Sequence, residues 1–261
     1  MFAHLGVHHV YVSVCATDTL ESAAVATAFD ILSDVEQIRS GRFLFARDRR
    51  DFVVAHALLR RTLSRHFSIA PRDWEFVIGS NGKPALSGDL VAATHLRFNL
   101  AHTNGLVACA VSRIADVGVD VETIDCAKDS LQIAERCFAS AEIDGLRHCT
   151  SAARPERFTE VWTLKEAYLK AIGAGFSLPL DEFAFHFDAS SSLRFSAASC
   201  QTAAWSFALF APSQRYRLAV AAQHSLSTGP LRIAASCGDP AAPGHDVALI
   251  PCIRSGSCGV G

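Results

Sequence analysis

Two acidic side chains lie two residues apart in Gly118–Glu122, whose sequence is GVDVE. The alternation predicts a strand, on which Asp120 and Glu122 share one face while Val119 and Val121 share the other. Neighbouring side chains on one face lie roughly 6.5–7 Å apart, a spacing that lets two carboxylates approach one hard cation. A solvated strand face is the alternative for these residues taken alone. The segment is therefore either part of a metal site or an ordinary acidic strand.

A second set of polar side chains follows in Trp162–Lys170, whose sequence is WTLKEAYLK. Trp162, Glu166 and Lys170 recur at intervals of four, so a helix places them on one stripe. A surface Glu–Lys pair beside a packed Trp is the alternative. The aromatic ring favours a partly buried face, where a carboxylate prefers a cation. Glu166 is then a candidate third metal ligand, and Lys165 and Lys170 are candidates for binding phosphate.

These motifs need a strand and a helix to position them, and the hydrophobic pattern predicts both. The predicted strands are His8–Cys15, Leu96–Leu100, Leu106–Ser112, Val117–Glu122, Phe183–Phe187, Ser206–Phe210 and Arg217–Ala222. The predicted helices are Ala46–Phe67, Leu131–Cys137 and Pro155–Ile172. A polar segment, His102–Gly105, joins two of the strands. Because the order of strand, helix and strands occurs twice, we expect two similar halves, residues 1–116 and 117–224. Residues 225–261 lack periodicity and are predicted to be a mobile tail outside the fold.

Composition limits the class of protein. Half of the 261 residues are hydrophobic and 19% are charged, which excludes disorder throughout. The formal net charge of −2 argues against a protein that coats nucleic acid. We find no apolar run long enough for a membrane span and no basic region of a secretory signal, so we expect a cytoplasmic protein without a membrane partner. The nine cysteines form no CxxC pair, which argues against a zinc ribbon or a redox dithiol.

The two acidic motifs occur together with further short motifs in a fixed order. GVDVE is followed by WTLKEAYLKA, and the chain also contains Asn81–Pro84 (NGKP), Phe98–Thr103 (FNLAHT) and Gly173–Leu180. In this order and spacing the chain resembles the 4′-phosphopantetheinyl transferases of the surfactin-synthetase-activating type. The resemblance covers roughly residues 45–185, and the strands to about Ala222 match the closing segment of that family.

The resemblance implies an α+β fold, a pseudo-dimer of two similar halves with the active site in the cleft between them. It implies transfer of the 4′-phosphopantetheine arm from coenzyme A to a serine of an acyl or peptidyl carrier protein. Adenosine 3′,5′-bisphosphate is the expected second product, and Mg²⁺ is the expected cofactor, with Mn²⁺ as an alternative. The carrier is expected to offer an acidic helix and to serve fatty acid, polyketide or nonribosomal peptide synthesis. Because both halves lie in one chain, we expect a monomer.

The resemblance also assigns roles to individual residues. It implies Asp120, Glu122 and Glu166 as metal ligands and Glu166 as the general base for the serine hydroxyl. Lys165 and Lys170 are expected to contact phosphates, and Lys170 and Asp120 to take part in catalysis. The other residues expected to contact coenzyme A are Gly82, Lys83, Pro84, His102 and, in the basic run at the start of a helix, Arg47.

One position departs from the family pattern. Many relatives carry Ser before the motif histidine, where this chain has Ala101, so one hydroxyl contact to coenzyme A is absent and Thr103 is a candidate to replace it. This departure leaves a second hypothesis, a coenzyme A-binding regulator on the same fold that has lost the transfer reaction. An acidic strand-and-helix protein without a metal is a third alternative. All three predicted ligands are present, which favours the enzyme.

Overall fold

The computed structural model describes residues 6, 8–78, 84–113, 115–126, 129–175, 177–188, 192–197, 204–225, 231–238 and 252–258. The strands in these residues are β1 (His9–Ala16), β2 (Phe76–Ile78), β3 (Pro84–Leu86), β4 (Arg97–Thr103), β5 (Leu106–Ser112), β6 (Asp116–Thr123), β7 (Phe183–Phe187), β8 (Leu193–Ala197), β9 (Ala204–Phe210), β10 (Tyr216–His224), β11 (Arg232–Cys237) and β12 (Cys252–Cys258). The helices are α1 (Ser22–Asp30), α2 (Asp34–Ser40), α3 (Ala46–Ser64), α4 (Gly88–Thr94), α5 (Ser130–Cys137), α6 (Ser140–His148) and α7 (Arg154–Ile172).

The two halves repeat one arrangement, which confirms the predicted pseudo-dimer. Each half runs from a strand through shorter helices to a 19-residue helix, α3 or α7, and then through a short hairpin to two more strands. In the first half the strands are ordered β1-β5-β4, and in the second β6-β10-β9. All of these neighbours are antiparallel. The fold is therefore α+β with an internal repeat, although no repeat is visible residue by residue in the sequence.

Both faces of each sheet are covered, and the buried side chains on these faces form the core. Val12 of β1 and Val119 and Val121 of β6 belong to one buried cluster that packs the two sheets together. The opposite face of the first sheet is covered by α3, whose Leu58 packs against β5. The opposite face of the second sheet is covered by α7, whose Leu164 is fully buried. The layers therefore run helix, sheet, sheet, helix, and α7 lies over the face of β6 that carries Asp120.

The hydrophobic pattern predicted most of these elements within a few residues. The strands β1, β5, β6, β7 and β10 and the helices α3, α5 and α7 are confirmed. Gly173, at φ 69°, ends α7 as expected from its tolerance of left-handed backbone. One prediction is wrong, because His102 and Thr103 are the last residues of β4 and not part of the link between strands. The turn itself is Asn104–Gly105.

The prediction of a tail outside the fold is also wrong for the two segments that the structure describes. Strand β11 pairs in parallel with β1, and β12 pairs antiparallel with β9, so each sheet gains an edge strand. Gly256 of β12 approaches β8 so closely that a β-carbon there would lie 2.0 Å from the carbonyl oxygen of Leu193. Among the described residues, none of the helices combines the length and the apolar character that crossing a bilayer requires.

Candidate active site in the cleft between the halves

The two halves meet where β4 of the first sheet lies beside β6 of the second. The backbone N–H of Val119 donates to the side-chain oxygen of Asn99 at 2.9 Å, and Thr103 Oγ1 donates to Glu122 Oε2 at 3.2 Å. At the other end, Arg97 Nε lies 3.2 Å from Asp116 Oδ1. Side chains of β4 thus bind β6 along its length. The acidic motif of β6 and the His102 motif of β4 are held side by side by these contacts.

The strand β6 presents its acidic residues as the alternation predicts. Val119 and Val121 are fully buried between the sheets, whereas Asp120 and Glu122 point to the face covered by α7. Asp120 is 5% exposed, so its carboxylate is largely removed from water. Its Oδ2 atom is buried and has no hydrogen-bond partner in the structure. A buried carboxylate oxygen without a donor costs free energy unless a cation or another donor reaches it.

The helix α7 places Glu166 and Lys170 over this acidic face. Trp162, Glu166 and Lys170 are all half-buried while the residues between them are buried, which confirms the predicted stripe. Lys170 Nζ lies 2.6 Å from Asp120 Oδ1, so the helix and the strand are joined by an ion pair inside the cleft. Glu166 lies one turn before Lys170 and shares this environment.

The three carboxylates influence one another's titration. Burial raises the pKa of Glu122 to about 6, and the negative charge of Asp120 adds to this effect. Burial and the charge of Asp120 also raise the pKa of Glu166. The pKa of Asp120 is raised by burial, against the opposing effect of the Lys170 ammonium. Such mutual effects mean that the three carboxylates share one local environment, in which a divalent cation would lower all three pKa values.

The donor set fits a magnesium ion in part. Among the described residues, no group of three or more His, Cys, Asp or Glu side chains is arranged so that it could hold a metal ion by itself. Mg²⁺ does not need such a cage, since it is commonly bound by one or two carboxylates together with waters and phosphate oxygens. The orphaned Oδ2 of Asp120 and the neighbouring Glu122 and Glu166 carboxylates supply hard oxygen donors of this kind.

Lys165 does not lie in the cleft, and its predicted contact with phosphate is wrong. Its side chain is fully buried, and its Nζ lies 2.8 Å from Glu142 Oε2 and 2.7 Å from each of the carbonyl oxygens of Leu180 and Phe183. Because an ammonium group has three donors, these acceptors satisfy all of them. Lys165 precedes Glu166 by one residue, so the turn of the helix directs it away from the stripe and into the core.

The first half carries two basic side chains near Asp51, namely His102 and Arg47, which we call its basic rim. His102 is exposed on β4, and its charge acts on both Asp120 and Asp51. Burial raises the pKa of Asp51, while the hydroxyl of Thr17 and the charges of His102 and Arg47 act in the opposite direction. Arg47 is exposed in the first turn of α3 and forms a 3.5 Å ion pair with Asp48. His102 and Arg47 therefore both act on the buried carboxylate of Asp51 in the first half.

The remaining predicted contacts lie at the edge of the described region. Gly82 and Lys83 are outside the described residues. Pro84 is the first residue of β3 and is paired with Ile78 of β2. Ala101 is 4% exposed and packs between the two sheets, so a small side chain at this position contributes to the core.

Sequence reasoning missed the function of three polar side chains. Asn99 and Asp51 are 4% exposed. Asn99 is a polar residue inside an otherwise apolar strand, which is a signal that a specific partner is present. Asp51 follows a charged run, so the sequence gives no such signal for it. Asn99 joins the two halves, and Asp51 accepts a hydrogen bond from the hydroxyl of Thr17. The hydroxyl of Thr103, a predicted contact for coenzyme A, donates to Glu122.

Residues 116–221 match the family model of the 4′-phosphopantetheinyl transferase superfamily, and residues 20–114 match the model of the N-terminal part of 4′-phosphopantetheinyl transferases. Together the two matches cover both halves of the fold. The chain belongs to the 4′-phosphopantetheinyl transferase superfamily. The boundary between the two matches falls just before β6, where the internal repeat begins again.

Individual phosphopantetheinyl transferases are similar to this chain over part of their length. The chain is 38% identical to the 4′-phosphopantetheinyl transferase HetI of Nostoc sp. over 55% of its own length and 60% of that protein. It is 30% identical to the 4′-phosphopantetheinyl transferase Sfp of Bacillus subtilis over 58% of its own length and 65% of that protein. The chain thus spans less than two thirds of these relatives.

Among solved structures, a holo-(acyl-carrier-protein) synthase from Bacillus anthracis in complex with coenzyme A matches with a TM-score of 0.39 and 16% identity. This match covers 43% of the chain and 98% of that protein.

Proposed function

We propose that this chain transfers the 4′-phosphopantetheine arm of coenzyme A to a serine of a carrier protein and releases adenosine 3′,5′-bisphosphate. The observation that carries the proposal is the ion pair between Lys170 of α7 and Asp120 of β6, with the Glu122 and Glu166 carboxylates beside it. In a chain of this superfamily, that arrangement supports a site for a pyrophosphate group and a hydroxyl nucleophile.

The reaction requires the serine oxygen to attack the β-phosphorus of coenzyme A. A bond forms between that oxygen and the phosphorus, and the bond from the phosphorus to the bridging oxygen breaks, so adenosine 3′,5′-bisphosphate leaves. Glu166 is proposed to accept the serine proton, because its half-buried carboxylate lies on the stripe of α7 that faces Asp120. Lys170 offsets the charge of the phosphate oxygens as a point charge.

A divalent cation is proposed at the acidic face of β6. Asp120, Glu122 and Glu166 would hold Mg²⁺, with Asp120 Oδ2 as a donor that has no other partner in the structure. When bound, the ion would neutralise the pyrophosphate and orient its oxygens. Mn²⁺ is also an oxygen-binding ion and is expected to substitute.

The basic rim of the first half is proposed to bind the nucleotide part of coenzyme A. His102 is exposed on the cleft side of β4 and can donate to a phosphate oxygen, and Arg47 can pair with the 3′-phosphate. Pro84 is proposed to lie against the nucleotide together with Gly82 and Lys83. Because the two sides of the cleft come from one chain, we propose that a monomer is active.

Mass spectrometry of apo carrier proteins tests the proposed function. After incubation with this protein, coenzyme A and Mg²⁺, one carrier should gain the mass of one phosphopantetheine arm. Asp120→Ala and Glu166→Ala should each abolish the labelling of that carrier by fluorescent coenzyme A, while circular dichroism shows a folded protein. Asp144→Ala removes an exposed carboxylate of α6 and should label normally. Undiminished labelling in the Asp120 or Glu166 variant would contradict the mechanism.

A further inference from the structure

The turn between β4 and β5 adjoins a contact to the Glu122 carboxylate. It consists of Asn104 and Gly105 and directly follows Thr103, the last residue of β4. The hydroxyl of Thr103 donates to Glu122 Oε2 at 3.2 Å. Because Thr103 is covalently joined to the turn, the position of this hydroxyl relative to Glu122 depends on where the turn is held.

The first half holds the turn from one side through Thr17. The carbonyl oxygen of Gly105 accepts a hydrogen bond from the backbone N–H of Thr17 at 2.9 Å. Thr17 is itself fixed by α3, because its hydroxyl donates to Asp51 and its carbonyl oxygen accepts from Arg50 Nη1 at 3.1 Å. The turn is therefore anchored to the first half, but these contacts alone do not set its distance from the second half.

Tyr216 holds the same turn from the second half. It is the first residue of β10, and its hydroxyl donates to the carbonyl oxygen of Asn104 at 2.9 Å. Tyr216 belongs to the buried cluster between the two sheets and lies opposite Thr123 of β6. Because close packing restricts the ring, its hydroxyl is presented to the turn at a fixed place.

The turn is fitted closely to this hydroxyl. Gly105 has φ 85°, a left-handed backbone conformation that glycine adopts without steric cost. A β-carbon on Gly105 would lie 2.9 Å from the Tyr216 hydroxyl oxygen and 3.0 Å from Asp18 Oδ2. A residue with a side chain could not take this place without displacing one of these groups. The conformation of the turn and the position of the hydroxyl therefore depend on each other.

The hydroxyl of Tyr216 contributes more than packing. A phenylalanine ring would fill the same space between the sheets and would need no acceptor. The hydroxyl adds one hydrogen bond, and that bond ends on the residue next to Thr103. Further back along β4, Arg97 and Asn99 bind β6 through their own side chains, away from the turn. The Thr103 contact at the strand end is therefore the one of the three that loss of the Tyr216 hydroxyl would affect.

We propose that Tyr216 is a positioning residue of the transfer site: its hydroxyl holds the β4–β5 turn so that Thr103 orients the Glu122 carboxylate toward a divalent cation. The inference rests on the proposed function, because it takes Glu122 as a ligand of the ion that accompanies the transfer. Tyr216 acts through Thr103 and does not itself touch the reacting atoms. A donor on one carboxylate oxygen fixes the direction of the other, and loss of such outer partners generally weakens metal binding.

Binding of Mn²⁺ tests the proposal without the transfer reaction. Tyr216→Phe removes only the hydroxyl. Tyr11→Phe is the matched control, since Tyr11 packs in the cluster under α3 and its ring lies 5.0 Å from that of His66, beyond the end of α3. Electron paramagnetic resonance of free Mn²⁺, in the presence of coenzyme A and without carrier, gives the Kd. Tyr216→Phe should raise the Kd about fivefold or more, and Tyr11→Phe should leave it unchanged.

A third variant separates positioning from a general loss of stability. Thr103→Val removes the donor to Glu122 and should itself raise the Kd for Mn²⁺. Because Tyr216 acts through Thr103, the double variant Tyr216→Phe/Thr103→Val should bind Mn²⁺ no more weakly than Thr103→Val alone. Additive effects of the two substitutions on the Kd would show that Tyr216 acts independently of Thr103 and would overturn the proposal.

Hydrogen exchange reports on the turn in the protein without a metal ion. The backbone N–H of Thr17 donates to Gly105 and should exchange faster in Tyr216→Phe than in the wild type, because the turn that carries its acceptor is less well held. The N–H of Val119, which donates to Asn99, should exchange at the same rate in both proteins. Equal exchange of Thr17 in the two proteins would refute the anchoring of the turn by Tyr216.

The two proposals fail in different ways. An unchanged Kd for Mn²⁺ in Tyr216→Phe, with transfer intact, would remove the role of Tyr216 and leave the proposed function standing. A raised Kd that depends on Thr103, without transfer to any carrier by the wild type, would support the role of Tyr216 and contradict the proposed function. A wild type that binds no Mn²⁺ would overturn both this inference and the proposed cation site.

Discussion

The backbone of Gly118 in β6 lies against the backbone of Ala167 in α7. A β-carbon at position 118 would be 2.0 Å from the carbonyl oxygen of Ala167 and 2.5 Å from the backbone nitrogen of Ala171. Neither neighbour is the end of a flexible side chain, so only glycine permits this approach. The close contact holds α7 against the acidic face of β6, where Lys170 lies 2.6 Å from Asp120.

Gly118→Ala is expected to push α7 away from β6. Because the displaced atoms are backbone, the substitution should lower the free energy of unfolding by about 1–3 kcal/mol, the range for overpacking. It should also reduce carrier labelling by at least about tenfold, since Glu166 and Lys170 move relative to Asp120. Denaturant unfolding and labelling with fluorescent coenzyme A measure the two effects. Gly145→Ala in α6 is the control, because no atom lies within 4 Å of the added carbon. It should keep full activity.

Lys165→Met is expected to destabilise the protein. The change leaves the Glu142 carboxylate without its buried cation, and loss of one partner of a buried ion pair costs about 3–5 kcal/mol. The double variant Lys165→Met/Glu142→Gln should lose less stability than the sum of the two single variants. Urea unfolding of all four proteins measures the coupling. Strict additivity would mean that the two side chains do not stabilise each other.

The decrease in the free energy of unfolding at acidic pH should depend on Glu36. Burial raises the pKa of this carboxyl, but the hydrogen bond from His56 and the charge of Arg60 outweigh it and lower the pKa from 4.5 to about 2. The folded form therefore binds fewer protons than the unfolded form, so its stabilisation is present above pH 4.5 and is lost as the pH falls toward 2. Unfolding free energies between pH 7 and 3 should fall less steeply in Glu36→Gln than in the wild type. Parallel curves would contradict this expectation.

Glu122 should affect the pH dependence of the free energy of unfolding in the direction opposite to Glu36. Burial and the charge of Asp120 raise the pKa of Glu122 from 4.5 to about 6. Between pH 4.5 and about pH 6 the folded form therefore binds more protons than the unfolded form. The free energy of unfolding accordingly decreases as the pH rises through this range. Glu122→Gln should therefore be more stable than the wild type at pH 8 in the absence of divalent ions, with little difference at pH 4.

The same variant should lose function. Without the Glu122 carboxylate, the Mg²⁺ concentration needed for half-maximal labelling should rise about tenfold or more, because one hard oxygen ligand is missing. Thermal unfolding at the two pH values and an Mg²⁺ titration of activity measure both effects. Two outcomes together would contradict this role of Glu122: a Glu122→Gln variant that is less stable than the wild type at pH 8, and an unchanged Mg²⁺ requirement. They would mean that burial of the ionised Glu122 carboxylate does not cost stability and that this carboxylate does not bind the metal.

The sequence alone determined the local elements and much of the site. The alternation of GVDVE placed Asp120 and Glu122 on one face, and the interval of four placed Glu166 and Lys170 on one stripe, because strand and helix periods are properties of the backbone. The order of strands and helices also indicated two halves.

Only the tertiary structure decided the contacts between residues distant along the chain. It turned Lys165 toward Glu142, joined β4 to β6 through Asn99, placed β11 and β12 at the sheet edges, and turned Glu36 of α2 toward Arg60. Each of these depends on which surface lies opposite a segment after folding. Periodicity specifies the direction of a side chain relative to its own element, and the partner that it meets there depends on packing of the whole chain.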